Sequence, residues 1–167
     1  LAGQEDEVPL GVYPPSELLQ GTDTTVDEKE AYFPMENEYI HHAQYYETDQ
    51  MGCVHHSNYI RWMEEARIHM MEQMGCGYKT MEADGIMSPV LEVHCQYKSM
   101  ARFDDRIVIR TRLAEYNGIR MTIAYEMRDC ATGELRTTGE SRHCFLDKAG
   151  HPLSLKRSFP KWDALFS

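Results

Sequence analysis

The chain has 167 residues, with 42% hydrophobic and 26% charged, the ordinary balance of one domain with its own core. Its net charge is −10 with no basic tract, which argues against nucleic acid as a partner, and no apolar run approaches the roughly 20 residues of a membrane helix. Nor is there a secretory-signal pattern, and five cysteines without a Cys-x-x-Cys pair support neither a disulfide framework nor a zinc knuckle, so free thiols and a cytoplasmic location are expected.

Residues 1–34 read as an acidic, Pro-containing arm. They hold eight acids, one base (Lys29) and Pro9, Pro14, Pro15 and Pro34, with no sustained period. The compact domain is expected over 35–167. From Asn37 the pattern alternates, with Tyr39, Ala43 and Tyr45 on one side of a strand and Ile40 and Tyr46 on the other. Polar residues and a glycine break it from Glu47 to Gly52.

A helix is expected over Asn58–Met74. Tyr59, Met63, Ala66, Met70 and Met74 fall at three- and four-residue steps, one face of a helix, and the methionines read as core. Ser57 or Asn58 can cap its start and Gly75 its end. Ile60, Trp62 and Ile68 lie off this stripe, which predicts burial on more than one side. After Pro89 the period is two. Strands are expected at Val90–Tyr97, Arg106–Ala114, Ile119–Arg128 and Glu134–Leu146, with Asn117-Gly118 as a tight hairpin turn. Trp162, Leu165 and Phe166 would anchor the tail. The order gives an α+β fold, one long helix laid on a five-stranded antiparallel sheet. A single helix leaves part of the sheet uncovered, so an oligomer is expected.

The segment Thr48-Asp49-Gln50-Met51-Gly52-Cys53-Val54-His55-His56-Ser57-Asn58-Tyr59 carries the chemistry. A carboxylate in a loop precedes two histidines and a helix start. Free N–H groups at a helix N-terminus carry partial positive charge and can bind a developing oxyanion. A carboxylate on the other side of the carbonyl can activate water or attack it. Thioester hydrolysis needs these two parts and no metal or cofactor. His41 and His42 alternate on a strand and read as structural, and no Cys/His cluster has zinc spacing.

This segment resembles the signature of the 4-hydroxybenzoyl-CoA thioesterase family and its bacterial short-chain acyl-CoA thioesterase relatives. Thr48-Asp49, Gly52, Val54, His55 and Asn58-Tyr59 match, while Cys53 stands where isoleucine or valine is usual. The resemblance implies a hot-dog fold, a sheet wrapped around a central helix, working as a homodimer or homotetramer with sites at subunit interfaces. It implies Asp49 as the catalytic carboxylate and His56 as the residue whose N–H polarises the thioester carbonyl. It also implies substrate contacts at His55, Asn58 and Tyr59. Coenzyme A, part of the substrate, would meet Asn117, Gly118 and Arg120. Other hot-dog thioesterases carry their carboxylate on the helix, which makes Glu64 a reserve candidate. Two rival readings remain: a hot-dog hydratase, disfavoured because histidines follow Asp49 at six and seven residues rather than five, and a non-catalytic acyl-CoA-binding module.

Overall fold

A computed structural model describes residues 37–167; the expected arm over 1–34 and the domain start at 35 lie outside the described residues. The elements are β1 (Glu38–His42), α1 (His56–Gln73), α2 (Tyr78–Ala83), β2 (Val90–Tyr97), β3 (Arg106–Tyr116), β4 (Arg120–Asp129), β5 (Leu135–Cys144), α3 (Leu155–Ser158) and α4 (Pro160–Phe166). The five strands form one antiparallel sheet in the order β1-β3-β4-β5-β2. The α+β expectation of one long helix and a five-stranded antiparallel sheet holds.

Alternation sets which side of the sheet is core. Met121, Ile123, Tyr125 and Met127 of β4 and Ile107 and Ile109 of β3 are buried on the side that faces α1. Trp62, Met63, Ala66, Met70 and Met71 fill that space from the helix, each large side chain contributing roughly 1.5–3 kcal/mol by leaving water. Gly139 of β5 lies under α1, where a Cβ would collide with Met63 Cε and stand 2.7 Å from the His94 carbonyl oxygen. The missing side chain lets helix and strand approach. At the β3–β4 hairpin, Gly118 has φ 86°, and Asn117 Oδ1 accepts from the N–H groups of Ile119 (3.0 Å) and Arg120 (2.8 Å).

Several local expectations need correction. β1 ends at His42, and Tyr45 and Tyr46 leave the strand for a 3₁₀ turn, Tyr45–Glu47, where they are 76% and 81% exposed. The helix begins two residues early, at His56, with His55 as its N-cap. Trp62 is fully buried but Ile60 and Ile68 are partly exposed, so the helix is buried on one broad side only. Arg67, a charged side chain off the apolar stripe, is buried; it donates to the hydroxyls of Tyr78 (2.9 Å) and Tyr125 (3.3 Å). The tail folds into α3 and α4, with Trp162 and Phe166 buried but Leu165 exposed.

The two sheet edges differ. Every residue of β2 except Cys95 is exposed, including Val90, Leu91, Val93 and Tyr97. Among the described residues β2 pairs only with β5. Its outer edge presents backbone groups and apolar side chains together, an arrangement natural sheets usually cover.

Candidate active site

The loop from β1 to α1 is built around a four-residue turn. Gly52 N–H donates to the Asp49 carbonyl (2.9 Å), with Gly52 at φ 72°, and Asp49 N–H donates to the Cys53 carbonyl (2.9 Å). Thr48 and Val54 form a single antiparallel bridge across the turn. The loop between β2 and β3 braces it from outside: Val54 N–H donates to the Ala101 carbonyl (2.8 Å), and Arg102 Nη1 to the Gly52 carbonyl (3.2 Å).

Asp49 sits half-exposed in this turn. Its Oδ1 accepts from Met51 N–H at 2.8 Å, and the Cys53 thiol lies 3.7 Å away. Among the described residues Oδ2 accepts no hydrogen bond. One carboxylate oxygen thus orients the group and the other is open.

The helix start lies next along the chain. His55 N–H donates to the Glu47 carbonyl at 2.8 Å, and His55 Nδ1 accepts from Ser57 N–H at 3.3 Å. Among the described residues the His56 N–H has no acceptor. It is the first N–H of an 18-residue helix, where backbone donors are unpaired and the dipole is positive. The exposed His56 ring lies 4.2 Å from that of His55, and Tyr97 of β2 donates its hydroxyl to the His56 carbonyl at 3.0 Å. A carbonyl oxygen placed on this N–H would gain charge stabilisation, and the open Asp49 oxygen can take a proton or form a bond.

Glu47, read from sequence only as part of a polar break, is the buried centre of the loop. Its Oε2 accepts from Gln44 N–H (2.7 Å) and His41 Nε2 (2.9 Å), and its Oε1 from Trp62 Nε1 (2.8 Å). Burial alone would raise its carboxyl. The bonds from Gln44, His41 and Trp62, with the charge of His41, outweigh burial and hold it below the usual carboxylate range. The signal was available: Gln44 and Glu47 stand three apart, the spacing of a capping box. Tyr97 carried no local signal, because it meets the site from 41 residues away.

The other expected site residues divide. His55 is committed to capping α1. Asn58 is buried and donates its amide to the Glu47 carbonyl (2.8 Å), and Tyr59 is buried with its hydroxyl accepting from Ala101 N–H (3.1 Å). Both tie the loops to the helix. Glu64 is exposed and stands 3.8 Å from Arg67. His41 and His42 point to opposite sides of β1, His41 to Glu47 and Glu65, His42 to Asp104 at 2.7 Å. Asn117, Gly118 and Arg120 lie at the far end of the sheet. β3 meets β1 at Arg106↔His42 and runs on to Tyr116, about 33 Å of strand. Within one chain they do not meet Asp49. Beside them Tyr116, Asn117, Lys156, Asp163 and Phe166 line a cleft of about 450 Å³. Among the described residues no group of three or more His, Cys, Asp or Glu could hold a metal ion.

Comparison with known proteins identifies the family and the fold. Residues 43–163 match the family model described as the thioesterase-like superfamily. The chain is 35% identical over 125 residues to a Bacillus subtilis protein provisionally named acyl-CoA thioesterase YneP, covering 74% of this chain and 90% of that one. It superposes on the DHNA-CoA thioesterase of Staphylococcus aureus with a TM-score of 0.74 and 32% identity, over 78% of this chain and 87% of that one. At 14% identity, a Synechocystis 1,4-dihydroxy-2-naphthoyl-CoA thioesterase shares the fold, with a TM-score of 0.70 over 77% and 93% of the two chains. The chain therefore belongs to the thioesterase-like superfamily and has its hot-dog fold.

Proposed function

We propose that this protein hydrolyses acyl-CoA thioesters to a free acid and coenzyme A. What supports the reading is that, among the described residues, one Asp49 carboxylate oxygen accepts no hydrogen bond and the His56 N–H at the start of α1 has no acceptor. The carbonyl oxygen of the thioester lies on that N–H. Asp49 either takes a proton from water as it attacks, or attacks itself to give a mixed anhydride that water then opens. In both routes the C–S bond breaks, the thiolate of coenzyme A leaves and is protonated, and one water is consumed. The names of the Bacillus and Staphylococcus relatives support the thioester class.

The working unit is an oligomer. The bare outer edge of β2, with Val90, Leu91 and Val93 beside it, fits a second copy pairing strand to strand. A second subunit also offers a way for an Asn117-Gly118-Arg120 hairpin, with the Lys156 cleft beside it, to meet an Asp49 site and hold the nucleotide of coenzyme A. No cofactor beyond the substrate is called for, and five free cysteines fit a reducing cytosol.

The test is thiol release from a panel of short, medium, long and aromatic acyl-CoAs, including a fused-ring aromatic thioester of the kind for which the Staphylococcus structure is named. Release supports the reading. Loss of enoyl absorbance without thiol would favour a hydratase, and tight binding without turnover a binding module.

A further inference from the structure

We propose that Glu47 is the positioning residue of the active site, holding the Asp49 turn in register with the first turn of α1. The proposal rests on the thioesterase reading above. Glu47 is 5% exposed, and five donors converge on it. Its carboxylate takes Gln44 N–H, His41 Nε2 and Trp62 Nε1 at 2.7, 2.9 and 2.8 Å. Its carbonyl takes His55 N–H and Asn58 Nδ2, both at 2.8 Å. The donors come from the end of β1, the 3₁₀ turn, the N-cap of α1 and the first two turns of α1. One residue, Thr48, separates this hub from Asp49.

The bracing continues behind it. His41 Nδ1 meets Glu65 Oε2 at 2.9 Å, Tyr39 donates its hydroxyl to the same oxygen at 3.0 Å, and the His41 ring stacks on Trp62 with centroids 4.5 Å apart. Both nitrogens of His41 face carboxylate oxygens, which only accept, so the bridge is complete when both carry protons.

A buried carboxylate is a poor choice for stability alone, because desolvation offsets much of what its partners return, and apolar side chains of like volume often do as well. A carboxylate supplies directed bonds instead. The three on the Glu47 carboxylate, with the two on its carbonyl, fix where the chain enters and leaves the Asp49 turn. A reacting group displaced by about 1 Å can lose on the order of 100-fold in rate. Geometry at Glu47 should therefore read out in kcat.

The experiment uses the full chain with Glu47→Gln and, as a second change, Trp62→Phe, which removes the indole donor together with part of the packing on His41. Asp84→Asn is the control. It weakens the 2.8 Å bond from Trp162 Nε1, outside the site, and so costs stability without touching the loop. Expected for Glu47→Gln is a fall in kcat of about 10- to 100-fold with KM within about threefold. Trp62→Phe should fall several-fold and Asp84→Asn stay at wild-type kcat. Amide hydrogen exchange at His55, whose N–H bonds the Glu47 carbonyl, should speed up by about tenfold or more in Glu47→Gln. Wild-type kcat in folded Glu47→Gln, an equal fall in the control, or unchanged exchange at His55 would overturn the proposal. If the wild type itself turns over no acyl-CoA, the thioesterase reading fails, and the exchange measurement still decides whether Glu47 fixes the turn.

Discussion

Acid should unfold this protein through one buried histidine before it reaches most carboxylates. His143 of β5 is fully buried, with Nε2 2.7 Å from Ser141 Oγ, which in turn meets the Tyr125 hydroxyl at 2.7 Å. Burial, and then the nearby Arg67 guanidinium, push the imidazole down to about 4, against the nearby Ser88 backbone, which works the other way. Unfolded, the same imidazole takes its proton at pH 6.5. Between these values the unfolded chain binds more protons than the folded one, so stability falls as pH falls. At about 1.4 kcal/mol per unit, the loss is about 2 kcal/mol between pH 7 and 5 and about 3 kcal/mol by pH 4. For a domain of this size that is a drop in Tm of roughly 4–8 °C over the first two units.

Urea unfolding of wild type and His143→Gln at pH 7 and pH 5, at one protein concentration, isolates the effect. Glutamine keeps a polar partner for Ser141 but cannot take the proton, and carboxylate losses are common to both proteins. Wild type should lose about 2 kcal/mol more than His143→Gln on going to pH 5. Equal losses in the two proteins would refute the reasoning.

Three further outcomes are expected. Gly139→Ala should cost about 1–3 kcal/mol in urea unfolding, because Met63 can yield but the His94 carbonyl is held in the β2–β5 ladder; a more stable variant would show that helix and strand do not bear on one another there. Val93→Arg, on the bare edge strand, should shift sedimentation toward monomer and lower activity with it, whereas an unchanged oligomer would move the interface elsewhere. Arg136→Met should unfold more readily near neutral pH, since it leaves the buried Asp129 carboxylate without its 2.8 Å partner, with a loss on the order of 3 kcal/mol by thermal unfolding; a loss under about 1 kcal/mol would mean solvent serves Asp129 as well.

The strands were legible because β3, β4 and β5 alternate apolar or small core residues with polar ones, so a period of two survives along them even where, as at Met121–Tyr125, both faces are buried. β2 was legible too, by the same period after Pro89, although almost nothing in it is buried. The helix was legible through its Met-rich stripe, but its start was not. Ser57 is a good cap by residue type, yet His55 takes the role because the Glu47 carbonyl holds its N–H and sets the chain's entry. Tyr45 and Tyr46 continue the alternation and so extend the strand on paper. The turn that ejects them closes through the Glu47 side chain on Gln44 N–H, a capping box whose three-residue spacing was there to be read against the alternation. Arg67 is buried by a tertiary event, since one of its partners, Tyr125, lies 58 residues away. At the site, Asp49 and His56 stood out because loop, glycine and helix start are contiguous. The bonds of Glu47 to Trp62 and Asn58, and of Tyr97 to His56, are contacts that sequence order hides.

The central claim is that Asp49 and the start of α1 together break a thioester. Wild type and Asp49→Asn should be compared for thiol release on the best acyl-CoA, with binding of a non-hydrolysable analogue and the Tm measured in the same preparations. Asp49→Asn should lower kcat about 100- to 10,000-fold, with analogue binding and Tm near wild type. Substantial thiol release by a correctly folded Asp49→Asn protein would contradict the claim.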